Sequence, residues 1–219
     1  MRQALLPAAA IAAVLVPAAW AAGGQPQHAF TKAGQTKARA ASLRLSDFAR
    51  GWTSSPAAGN TATSAPRCSN YNPDQSDLVE IGKYDSPDFT RTADHSFVSV
   101  STGVFKTAAM AKRGYARVAV RQLPACFGEL FAKGITKPST ARVVSAAPIA
   151  FPRAGDRSNA YRLVASVKTP TVTLPVAADI VLFNKGRTDV AMIFLGIARP
   201  LPASLEQAAV ARVLARVTR

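Results

Sequence analysis

Residues 96–126 change hydrophobic period partway along, and that change constrains the fold more than any other feature of the chain. "SFVSVSTGVF" (96–105) alternates polar and apolar side chains and is rich in β-branched types, the pattern of a strand. "KTAAMAKRGYARVAVRQL" (106–123) then takes up a helical period, with Thr107 as its N-cap. Met110, Ala111, Gly114, Tyr115, Val118 and Ala119 form the stripe to be buried. Lys106, Arg113, Arg117 and Arg121 fall on a separate face. Pro124 has no amide hydrogen to continue the helix but suits the first turn of a new one. A break is therefore expected at Pro124, followed by a second short helix over 124–133, closed by Gly134.

Downstream, "RVVSAAPI" (142–149) and "NAYRLVASVKT" (159–169) read as strands around the turn-rich "FPRAGDRS" (151–158). "AADIVLFN" (177–184) and "TDVAMIFLGI" (188–197) read as a hairpin, because Gly186 between them can take positive φ. A final helix follows. Ser204 and Gln207 form a capping box, and Val210, Val213, Leu214 and Val217 form the apolar stripe. Upstream, 37–52 reads as a short helix ending near Asp47, with Phe48 and Trp52 as anchors, and 53–66 reads as a loop. The acidic segment 67–95 has room for one short strand at 78–82. Strands framed by helices indicate an α+β fold. The expectation is an antiparallel sheet of about five strands packed against a long broken helix and a C-terminal helix, in one domain over 37–219.

The first 21 residues have the layout of a secretory signal peptide: Arg2, an apolar run over 4–19, and Ala19 and Ala21 at the −3 and −1 positions of a cleavage site. Residues 22–36 are rich in small and polar types and read as a flexible leader. The mature chain is expected outside the cytoplasm, secreted or loosely held at the cell wall, with no transmembrane segment. That placement decides how the net charge of +15 is read. Nucleic acid is not the expected partner. Anionic cell-wall polymers or lipid head groups are the electrostatic targets such a location offers.

Few residue patterns here support catalysis. The two cysteines lie 58 positions apart with no CxxC, and the two histidines are not paired, so no metal site and no cofactor is expected. Asp74, Asp77 and Glu80 lack the glycine turn and ligand spacing of a calcium loop. There is no G-x-S-x-G elbow, and His95 beside Asp94 reads as structural. Two cysteines in an exported chain normally pair. Cys126 is thus expected to be bonded to Cys68, fastening the loop-rich 53–95 segment to the helix pair. Arg113, Arg117 and Arg121 are the candidate ligand-binding residues, since guanidinium groups at helical spacing engage phosphates or carboxylates. The acidic segment nearby could instead neutralise them.

"SFVSVSTGVFKTAAMAKRGYARVAVRQLPAC" resembles the strand–helix–cysteine segment of the PknH-type extracellular sensor domains of bacterial receptor Ser/Thr kinases and of related secreted or lipid-anchored envelope proteins. "LPAC" (123–126) stands where that family has a "WPAC"-like helix break. "ADIVLFNKGRTDVAMIFLGI" and "LEQAAVARVLARV" resemble its terminal hairpin and helix. The resemblance covers roughly residues 40–217. It implies a PsbP-like α+β sandwich, a cysteine at the break paired with an upstream one, here Cys68, and a cleft for a ligand. The second disulfide usual in the family is absent, and no catalytic residues carry over.

The expected function is a secreted, non-enzymatic ligand-binding or sensor-like domain at the bacterial cell envelope, with an anionic polymer or lipid as ligand. The alternatives are a secreted hydrolase with an unrecognised site and a structural adaptor for another envelope protein.

Overall fold

The period change at 105 is realised as a ten-residue strand running into a helix, in a computed structural model that describes residues 24–57 and 67–218. The signal-peptide segment 1–21 lies outside the described residues. The strands are β1 (Gln27–His28), β2 (Trp52–Ser55), β3 (Val79–Asp85), β4 (Asp88–Arg91), β5 (Ser96–Phe105), β6 (Thr140–Pro148), β7 (Arg157–Lys168), β8 (Thr173–Lys185) and β9 (Thr188–Ile197). The helices are α1 (Lys32–Ala41), α2 (Ala108–Val118), α3 (Leu123–Gly134) and α4 (Ala203–Val217), with a 3-10 turn at Leu45–Asp47. The fold is α+β.

All nine strands belong to one sheet, in the order β1-β3-β5-β9-β8-β7-β6. β4 pairs with the first half of β5, beyond the reach of β3, and carries β2 on its outer side. Every pairing is antiparallel except that of β1 with β3. The sheet is wider than the expected one of about five strands: the short strand expected at 78–82 forms as β3, and β1, β2 and β4 add three more. Those three are only two to four residues long, so their alternation is weak in the sequence, and they pair along edges that β3, β4 and β5 offer.

Helices cover both faces of the sheet. On one face, α4 sets Val210, Val213 and Val217 against Val181, Phe183, Val190, Met192 and Phe194. On the other, the α2–α3 pair sets Tyr115, Leu123, Cys126 and Phe131 against Tyr161, Leu163, Ile180 and Leu182. β8 runs between both layers, which accounts for its unbroken buried stretch. Phe89, Phe183 and Phe194 are fully buried, each contributing about 1.5–3 kcal/mol by leaving water.

The flexible-leader reading of 22–36 is corrected over the residues described, and so is the helix expected from 37. Gln27 and His28 pair with Val79 and Glu80, and α1 begins at Lys32, capped by the Thr31 side chain, which accepts from the Gly34 amide at 3.0 Å. α1 docks backbone to backbone on β3. A Cβ on Gly34 would lie 2.1 Å from the Ile81 carbonyl oxygen, and one on Gly82 would lie 2.1 Å from the Gly34 carbonyl carbon. Small, polar composition here marks close packing rather than a linker. The capping box at Ser204 is not formed either. Pro202 is the N-cap and makes no side-chain bond, while Glu206 in the first turn is drawn inward to the sheet.

Candidate functional site

The cysteine question resolves at the start of α3. α2 ends at Val118, a turn over 119–122 breaks the helix, and α3 restarts with Pro124 in its first turn. Cys126 is buried there and bonded to Cys68, with a Cα–Cα distance of 5.4 Å. Tyr71, bridged to Cys68 through the backbone, donates its hydroxyl to the Val118 carbonyl at 2.8 Å. Disulfide and tyrosine together hold the 67–78 segment on the helix pair.

That segment also takes up two of the three candidate arginines. Arg117 pairs with Asp77 and donates to the Asp74 carbonyl at 2.9 Å, while Arg113 Nε lies 3.6 Å from Asp77 Oδ2. Arg121 sits beyond the helix end, in the exposed turn, so the three do not share a helix face. His95 is exposed in the β4–β5 turn at φ 56°, and the neighbouring Asp94 is engaged by Arg91 and Ser96.

A cleft opens instead where α2 ends over the start of β7, with a cavity volume of about 670 Å³. Tyr115, Ala116 and Ala119 form one wall and Phe151 an apolar patch. Arg153, Asp156, Arg157, Ser158 and Asn159 supply the polar groups. The two alanines matter because longer side chains on the last turn of α2 would fill the space. The 151–158 loop is fixed by Gly155, whose φ of 65° suits glycine and whose Cβ position would fall 2.3 Å from the Asn184 carbonyl oxygen. Asp156 N donates to that oxygen at 2.8 Å.

The cleft is rich in donors. Tyr115 donates its hydroxyl to Asn159 Oδ1 at 2.6 Å, which leaves the Asn159 amide hydrogens to the cavity. Burial pushes the Tyr115 phenol well up, neighbouring Tyr161 and Asp189 adding to it and the Arg157 guanidinium opposing, so this hydroxyl stays a donor. The Ser158 hydroxyl accepts from the Ala154 amide at 3.1 Å and keeps its own proton available. The Arg157 side chain is exposed, with no hydrogen bond or ion pair among the described residues, and Arg153 uses one nitrogen on the Asp156 carbonyl at 2.9 Å. The one carboxylate in the lining, Asp156, is already committed to the Gly186 amide at 2.9 Å and to Lys185 Nζ at 2.7 Å, which hold its carboxyl below the usual range. Free guanidinium and amide donors beside an apolar wall suit an oxyanion carried on a larger body.

The sequence alone had not singled out this site. "FPRAGDRS" was legible as a turn, and its two arginines were a signal that carried no address until β7 brought them under Tyr115.

No family model matches the chain, and no curated protein matches it. Among solved structures, it is similar to the extracellular domain of PknH from Mycobacterium tuberculosis at 12% identity and a TM-score of 0.37, over 64% of this chain and 65% of that one. It thus spans just under two thirds of that domain's length. It is also similar to LpqN, involved in cell envelope biogenesis of Mycobacterium tuberculosis, at 9% identity and a TM-score of 0.31, over 76% of each chain.

Proposed function

We propose that the protein is a non-enzymatic binding domain of the bacterial envelope, working outside the cytoplasm, and that its cleft takes the oxyanion group of an anionic polymer or lipid. The observation that carries this reading is the grouping of Arg153, Arg157, Ser158 and Asn159 around one open cleft whose single lining carboxylate is already engaged. The Cys68–Cys126 bond and the signal-peptide pattern of the first 21 residues support the location.

Calorimetric titration at low salt with glycerol phosphate, inorganic phosphate and short-chain phosphatidylglycerol tests the reading. Phosphate-bearing compounds are expected to bind. Arg157→Gln or Asn159→Ala is expected to weaken binding by about tenfold, the worth of one charge-assisted hydrogen bond. No binding by the wild type, or wild-type affinity in both variants, overturns it.

A further inference from the structure

The cleft lies at one end of a row of cations set out by the sheet itself. At the edge where β5 and β8 end and β7 and β9 begin, four neighbouring strands each present a basic residue at or next to their terminus. These are Lys106 after β5, Arg187 before β9, Lys185 closing β8 and Arg157 opening β7. Their adjacency is fixed by backbone bonds and register. Phe105 N donates to the Arg187 carbonyl at 2.8 Å, Lys185 pairs with Thr188 in the hairpin, and Arg157 pairs with Asn184. Neighbouring strands lie about 4.8 Å apart, so the row runs about 14 Å from Lys106 to Arg157. Lys106, Arg187 and Arg157 are exposed and have no side-chain partner among the described residues. Of the acidic groups at this edge, Asp156 is taken by Lys185 and the Gly186 amide, Asp189 is hydrogen-bonded to Asn184 Nδ2 at 2.6 Å on the face beneath α2, and Glu80, in register with Phe105, is buried with His28 Nε2 3.4 Å from its carboxylate.

We propose that this row is a track for a linear polyanion with closely spaced phosphate, sulfate or carboxylate groups, one of which enters the cleft while the rest of the chain crosses the strand ends toward Lys106. The inference rests on the reading of the cleft above and names its ligand class. A linear occupant fits better than a bilayer for two reasons. The strand ends that carry the cations follow one another in a single row across the sheet edge. The large apolar side chains exposed among the described residues, Phe30, Leu45, Val144 and Val172, belong to none of these four strand ends, where a lipid surface would want an insertion anchor.

The test compares long-chain polyphosphate with tripolyphosphate, which is too short to span the row, and with vesicles containing phosphatidylglycerol. The wild type is set against Arg157→Gln and a Lys106→Gln, Arg187→Gln double variant. The long chain is expected to bind at least about tenfold more tightly than tripolyphosphate, with a steeper salt dependence from the additional ion contacts. The double variant should lose that advantage while keeping wild-type affinity for tripolyphosphate, a control that also shows it is folded. Equal affinity for both lengths, with Arg157 still required, overturns the track and leaves the cleft standing. Absence of binding to either length overturns both. Vesicle binding lost in the double variant, without a length effect in solution, overturns the linear occupant in favour of a membrane surface.

Discussion

Tyr115 on α2 and Asn159 on β7 lie 44 positions apart in sequence and are joined by a hydrogen bond of 2.6 Å from the phenol to the amide oxygen. The same hydroxyl lies 3.4 Å from the Leu182 carbonyl. Helix and sheet thereby agree on the orientation of one amide at the mouth of the cleft. Tyr115→Phe keeps the ring and removes the bond. It is expected to cost about 1 kcal/mol in stability, the net worth of one such bond, and to weaken phosphate binding by about threefold to tenfold as Asn159 loses its fixed orientation. Denaturant unfolding and calorimetry on the same preparation separate the two effects.

Asp77 occupies two of the arginines that would otherwise face solvent on α2. Asp77→Asn should leave the unfolding midpoint almost unchanged, because exposed ion pairs contribute little. It should raise the affinity for polyanions at low salt, with the gain vanishing as salt is added. Binding measured across a salt series checks this; a gain that survives high salt would mean a contact rather than a field.

Three carboxyls raised by burial give the fold a pH dependence: Glu80, Glu206 and Asp189, the last raised to about 7 against the hydrogen bond from Asn184. Burial raises Glu80 to about 8, against the pull of Lys83, and raises Glu206 to about 8 with the Asp179 carboxylate beside it adding to the shift. The folded protein therefore keeps protons that the unfolded chain releases above about pH 4.5, or about 3.8 for Asp189. Stability from these groups is expected to be greatest below those values, to fall as pH rises through the interval, and to level off above about pH 8. A Glu80→Gln, Glu206→Gln double variant mimics the protonated forms and should reduce the decline, leaving the part that Asp189 contributes. Melting curves across that range check it, and a wild type whose stability rises with pH there would contradict it.

Cys68 and Cys126 close a loop of 58 positions. Replacing both by serine should cost about 4 kcal/mol by the chain-entropy relation. The loss should be felt first in the 67–78 segment, which the bond and Tyr71 hold against α2 and α3. Hydrogen exchange is the measurement, with early deprotection expected around Tyr71 and Leu78 and later loss in β8.

The sequence by itself determined the elements that carry their own period. β5 alternates, α3 restarts with Pro124 in its first turn, the β8–β9 hairpin turns at Gly186, and α4 shows an apolar stripe, all from local side-chain order. It also held the two cysteines that the structure pairs. Only the tertiary structure decided the role of the N-terminal third. The strand expected at 78–82 forms as β3, but β1, β2 and β4 are too short to show a period, and they become strands because β3, β4 and β5 leave edges with unpaired backbone groups. It decided the fate of the basic residues as well. Arg113 and Arg117 carried the helical spacing yet meet Asp77, which stands 36 positions before the first of them. Arg153 and Arg157, in a segment with no period, come under Tyr115 because β7 pairs along β8 in one register. Periodicity reports which side of an element is apolar. Which charge is neutralised and which is left for a ligand depends on long-range packing, which no local pattern records.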